Sequence, residues 1–145
     1  MVSMSITTPR RFWVSGALIL MTILFLESCA TKYGFATSTV VPAADGSVKV
    51  KKDNNDNYRI DLRVKNLAPP DRLTPAKDVY VVWMETDGNG TQNLGQLKSS
   101  SGFFSSSLKS SLETVSAYKP RSFFITAEDD AAAQYPGADV VLRTN

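Results

Sequence analysis

YRIDLRVK, residues Tyr58 to Lys65, alternates without a break. Tyr58, Ile60, Leu62 and Val64 take one set of positions, and Arg59, Asp61, Arg63 and Lys65 take the other. Period two is the spacing of a β-strand with one buried and one wet face, because successive side chains leave a pleated strand on opposite sides. Upstream, Val48 and Val50 alternate with lysines, and the KKDNNDN between the two runs is rich in turn formers. Together they predict a hairpin of Ser47–Lys52 and Asn57–Leu67.

The pattern continues downstream. APPDRLTPAKD (Ala68–Asp78) carries three prolines and must be a connection, since proline cannot donate to a sheet ladder. VYVVWMET (Val79–Thr86) is apolar on both faces, as a central strand covered on both sides would be, with Trp83 as its core aromatic. DGNG (Asp87–Gly90) supplies the residues that tolerate positive φ, so Thr91–Lys98 is expected to return as the partner strand with Leu94 and Leu97 in the core. Ser99–Ser111 fits two readings: Leu108, Leu112 and Val115 have helical spacing, whereas Leu108, Ser110 and Leu112 have strand spacing. A strand or a single turn is the preferred one. Arg121–Glu128 and Asp139–Thr144 read as strands, separated by an exposed turn, EDDAAAQYPG, that has room for one helical turn at its start. The expectation is an all-β chain: an antiparallel β-sandwich of immunoglobulin or fibronectin type with about seven strands, preceded by an N-terminal signal helix.

The front of the chain has a different character. Arg10 and Arg11 precede an uncharged apolar run from Phe12 to Leu26, followed by Glu27, Ser28 and Cys29. A charged start, an apolar segment and a small residue before a processing point form the layout of a secretory signal. The run falls short of the roughly 20 apolar residues that a spanning helix needs. Leu26-Glu27-Ser28-Cys29 resembles the lipobox of bacterial lipoproteins, with Glu27 departing from the usual small or uncharged second residue. That resemblance implies cleavage between Ser28 and Cys29, a diacylglyceryl group on the thiol and acylation of the new amine. Ala30, next in line, leans by the same resemblance towards the outer rather than the inner membrane. A small buried thiol and a bystander to a spanning anchor are the two other fates open to Cys29. The division that follows is a signal peptide over 1–28, a lipidated tether over 29–38 and a β-sandwich domain over 39–145.

Composition narrows the chemistry. Removing residues 1–28 from the 145 leaves 117, enough for one domain with a core of its own. There is no histidine and a single cysteine, which counts against most zinc sites and against Ser-His-Asp or Cys-His catalysis. Taking Arg10, Arg11 and Glu27 from 16 basic and 14 acidic residues leaves 14 against 13. That balance shows no basic stripe, and a nucleic-acid partner is not expected.

Asp53–Asn57 places oxygen-bearing side chains at alternate positions, but Tyr58 and Val64 stand where a calcium loop needs Gly and Glu, so a hairpin turn is expected. Glu128, Asp129 and Asp130 could serve a metal or acid–base role only if they shared a cleft. Neighbours on a strand face opposite ways, and an exposed acidic turn is the simpler reading. No catalytic residue, metal ligand or cofactor is therefore expected, and the sites are Cys29 for lipidation and Ser28–Cys29 for cleavage.

One further resemblance covers residues 77–143. Tyr80-Val81-Val82-Trp83, Leu94-Gly95-Gln96-Leu97, Phe124-Ile125-Thr126-Ala127-Glu128 and Val140-Val141-Leu142 resemble, in that order, the periplasmic sandwich of anti-sigma-K-type regulators. The chain is similar also to small envelope lipoproteins that end in such a domain. The resemblance implies the fold; that family's sigma-binding segment and spanning helix have no counterpart in the quoted residues. The expected function is a membrane-anchored envelope lipoprotein that binds or scaffolds without catalysis. Its partners would be membrane lipid through acylated Cys29 and an envelope protein. An accessory or sensory domain of an envelope signalling system is the alternative, and a carboxylate-based hydrolase stands third.

Overall fold

The alternating residues of Tyr58–Lys65 lie in the middle of a sheet. The computed structural model describes residues 29–100 and 108–145. Nine strands follow in chain order among them: β1 (Ala30–Gly34), β2 (Asp45–Lys52), β3 (Tyr58–Lys65), β4 (Val79–Thr86), β5 (Thr91–Gln96), β6 (Lys98–Ser100), β7 (Lys109–Ser116), β8 (Pro120–Glu128) and β9 (Val140–Arg143). They build two antiparallel sheets, of order β1-β2-β3-β7-β6 and β5-β4-β8-β9. The hairpins β2–β3 and β4–β5 lie in different sheets. The chain then crosses back, so that β7 pairs with β3 and β8 with β4. The sets β2-β3-β7-β6 and β4-β8-β9 reproduce the ABED and CFG strand orders of immunoglobulin-type sandwiches.

The two sheets share one core. Val48, Val50, Ile60, Leu62 and Val64 meet Tyr80, Val82, Met84, Phe123 and Ile125, all buried. Tyr33 closes it from β1, edge-on to Phe123 with ring centroids 5.2 Å apart. Both expected turns form. Asp53 Oδ1 accepts the N–H groups of Asn55 and Asn57 at 2.8 and 3.0 Å, which lets Asp56 sit at φ 65° in the turn. At the β4–β5 turn, Gly88 and Gly90 take φ of 87° and 69°, and the Thr86 hydroxyl and N–H both donate to Gly90 O.

Four features differ from the sequence expectation. Among the described residues the strands number nine, against an expectation of about seven. The stretch expected as a tether over 29–38 is not free: Ala30–Gly34 pairs along its length with Ser47–Lys51, Phe35 bridges Thr144, and Ser38 is buried with its hydroxyl donating to Val141 O. Its alternation (Lys32 and Gly34 against Tyr33) is too short to have been read as a strand. Thr91–Lys98 is not one strand either. It ends at Gln96, Leu97 turns inward with its N–H on Tyr80 O, and Lys98 begins β6 in the other sheet. Trp83 is fully buried, but on the outer face of its sheet rather than between the sheets. Of the ambiguous Ser99–Ser111, the described ends are strand, β6 and the start of β7. Residues 101–107, and the signal helix expected over 1–28, lie outside the described residues.

Candidate functional site

Three places could carry function, and each is set by the sheets around it. The first is the acidic cluster. β4 is apolar on both faces, so its outer residues Val81 and Trp83 need a cover of their own. They form a second small core with Phe124, beneath Ala133 of the segment 129–138. Trp83 and Phe124 stack nearly parallel, 14° apart in plane, and the Arg143 guanidinium lies 4.4 Å over the Phe124 ring. Asn93 Nδ2 donates to Ala131 O and Ala133 O at 3.1 and 2.8 Å, tying the segment to β5.

Glu128 closes this cover from inside. The buried Trp83 Nε1–H donates to Thr126 Oγ1 at 2.7 Å, and the Thr126 hydroxyl donates to Glu128 Oε1 at 2.5 Å. Gly137 N–H donates to the same carboxylate oxygen at 2.7 Å. Asp129 leaves on the other side to meet Lys77 Nζ at 2.9 Å, and Asp139 stands 4.0 Å from that ammonium. Hydrogen bonding to Asp129 holds the Lys77 pKa above its ordinary value. Asp130 accepts Ala132 N–H at 2.9 Å, an Asx turn. The three neighbouring carboxylates thus diverge into three structural tasks. Among the described residues no three His, Cys, Asp or Glu side chains come together as a metal-holding group.

The second place is the end of the sandwich. A small cleft of about 100 Å³ opens between Val40, Leu73, Pro75, Lys77 and Val141. Its volume would hold only a few water molecules, below the size of ordinary ligand pockets.

The third is the outer face of the five-stranded sheet, with Cys29 at its corner. Cys29 is exposed, carries a free thiol and immediately precedes β1. The register sorts the outward residues into rows running across the strands. The row nearest Cys29 reads Ala30, Lys51, Arg59, Val115; the next reads Lys32, Lys49, Asp61, Glu113. Beyond them come Gly34, Ser47, Arg63, Ser111, Lys98, and then Asp45, Lys65, Lys109. Open hollows lie here, among them one of about 370 Å³ beside Lys51, Asp53 and Arg59, one of about 510 Å³ beside Lys32, Lys49 and Lys65, and one of about 360 Å³ beside Arg63, Lys65 and Ser111. Arg63 is held by Asp61 at 2.9 Å and Glu113 at 3.6 Å, contacts that raise its already high pKa. Lys32, Lys49, Lys51 and Lys65 make no ion pair among the described residues. Such a face can hold phosphate or carboxylate groups by charge. No single stretch of sequence displays it, because each strand contributes only one to four of its charges.

The expected cleavage partner Ser28 lies outside the described residues. Among the described residues no helix is long and apolar enough to cross a membrane. Compared with protein-family models, with curated proteins and with solved structures, the chain matches none.

Proposed function

We propose that this chain is a lipid-anchored protein of the cell envelope whose β-sandwich binds or scaffolds without catalysis. Cys29, released from Ser28 by signal cleavage, carries the lipid, and the outer membrane is favoured over the inner by the Ala30 that follows. The observation that supports this best is the position of Cys29: an exposed thiol, after an apolar export segment and one residue ahead of the first strand. Acyl chains on that sulfur can leave the domain without displacing any packed residue. Each buried methylene contributes about 0.8 kcal/mol, and two or more chains anchor stably where one does not.

The test is metabolic labelling of producing cells with an alkyne fatty acid, followed by fractionation. Wild-type protein is expected to carry label and to sediment with membranes. Cys29→Ala is expected to lose the label and keep an uncleaved signal. Label that persists in Cys29→Ala refutes the proposal.

A further inference from the structure

The mature chain is almost neutral, yet its charges are not evenly spread. Outward positions of the five-stranded sheet hold eight basic side chains against Asp45, Asp61 and Glu113, a net of five positive charges. Residues 29–145 as a whole carry 14 basic against 13 acidic groups, so everything outside this face carries a net of four negative charges. A molecule polarised in this way has a preferred side towards any anionic surface.

We propose that this face lies flat against a membrane bearing anionic phospholipid headgroups, a pose that rests on the acylation of Cys29. Two further observations point to a bilayer. The first is the absence of slack: Ala30 is already paired with Lys51, so the anchor sulfur sits at the corner of the basic face. Basic residues act on a lipid surface only within about a Debye length, roughly 8–10 Å in physiological salt. A free ten-residue tether could span about 35 Å and carry the face out of range. The second is the apolar content at the same end. Val115, in the row nearest Cys29, is 55% exposed, and Tyr118, in the turn just after β7, is 43% exposed. An aliphatic group and a tyrosine beside lysines suit the headgroup boundary, where an apolar body and a polar tip are both solvated. Lipid plus a basic patch is also the combination that gives a peripheral protein a firm hold.

The experiment uses the acylated protein purified from membranes and reconstituted into vesicles. With Cys29 blocked by lipid, a single introduced cysteine takes a fluorescent probe. Ser111→Cys reports the basic face, and Thr91→Cys on β5 reports the opposite sheet. Nitroxide-headgroup lipid serves as quencher, in phosphatidylcholine alone or with about one-third phosphatidylglycerol. The expected result is strong quenching at Ser111→Cys and little at Thr91→Cys in the anionic vesicles. The difference should vanish in phosphatidylcholine and in about 1 M salt, where the Debye length falls to about 3 Å. Lys32→Gln, Lys49→Gln and Lys51→Gln together should lower the ratio of docked to undocked protein roughly 100-fold, at about fivefold per lysine. All three are exposed and make no ion pair among the described residues, so melting should be unchanged.

Equal quenching at the two sites, or quenching indifferent to lipid charge, overturns the docked pose while the protein still floats with the vesicles. A mass spectrum showing an unmodified Cys29 overturns the anchor itself, and with it the pose. Protection of the Ser111→Cys probe in intact cells without any quenching in vesicles would assign the face to a protein or polysaccharide and overturn the proposal.

Discussion

Thr126→Val tests the least ordinary part of the fold, the second core on the outer face of β4 and β8. Thr126 is fully buried and works in both directions: it accepts from Trp83 Nε1 at 2.7 Å and donates to Glu128 Oε1 at 2.5 Å. Valine keeps the shape and removes both functions. The Trp83 N–H, itself fully buried, would be left without an acceptor, at a cost of about 1–3 kcal/mol. Glu128 would keep only the Gly137 N–H of its two described donors, and losing a bond to a carboxylate costs about 1.5–3 kcal/mol. The added methyl returns about 0.8 kcal/mol of burial. The net is about 3 kcal/mol, a large share of the 5–15 kcal/mol that holds a typical domain. For a domain of this size, Tm should fall by roughly 10 °C.

Urea unfolding of residues 29–145 measures this directly, because Trp83 is the one tryptophan after residue 28 and reports its own environment. The midpoint should fall with an unchanged slope. Trp83→Phe supplies the second arm, followed by circular dichroism. With no indole N–H to strand, Thr126→Val should cost about 1–2 kcal/mol less in that background. A cost below about 0.5 kcal/mol in the wild-type background, or strict additivity with Trp83→Phe, would refute the account of Thr126 as a two-way relay.

Two further outcomes follow from local geometry. Gly46→Ala should destabilise by about 1–3 kcal/mol in the same urea assay, because a Cβ there would sit 2.6 Å from Arg63 O, a backbone atom fixed in the β2–β3 ladder. Glu85 gives a pH signature: hydrogen bonds from the Ser122 hydroxyl and Arg143, the Ser122 bond foremost, hold its carboxyl below the ordinary value of 4.5. A depressed folded-state pKa contributes stability that is present above the unfolded value and lost as pH falls through the folded one. Glu85→Gln should therefore flatten the acid limb of a Tm-versus-pH curve below about pH 4.5 and leave the neutral limb parallel to wild type.

Much of the sandwich was legible because the information is local. Ile60, Leu62 and Val64 need only a period of two to declare a buried face, and Asp53 and the Asp87–Gly90 glycines need only their own turns. β1 was not legible, since Ala-Thr-Lys-Tyr-Gly has a single inward aromatic and acquires its strand only by pairing with β2. Trp83 was half legible. The two-faced apolar pattern of β4 required a cover on both sides, and the burial followed. Which side the tryptophan took depended on the register of β4 against β8 and on a segment, 129–138, whose charged and small residues read as exposed turn.

The basic face shows why a balanced composition misled. Charge counted along the chain averages lysines and arginines of β1, β2 and β3 with the acidic turns between and after them, and the sum is close to zero. Folding separates the two populations by side. In β3 the outward set includes Arg59, Arg63 and Lys65, in β2 Lys49 and Lys51, and in β1 Lys32. The alternation that declared the buried face of Tyr58–Lys65 therefore declared a charged face as well. Only the pairing of β1 with β2 and of β2 with β3 stacks those faces into one surface. The same pairing removes the tether and fixes Cys29 at that surface's corner. Were residues 29–38 a free linker, the face and the anchor would be independent features. With β1 in the sheet, any lipid on Cys29 brings the basic rows to within headgroup reach, and the order of rows sets which lysines arrive first: Lys51 beside Ala30, then Lys32 and Lys49. In the quenching assay Lys51→Gln, Lys32→Gln and Lys49→Gln, in the two rows nearest the anchor, should each weaken docking about fivefold and Lys65→Gln, two rows further on, distinctly less; an equal loss at all four would indicate attraction by net charge instead of docking from an anchored corner.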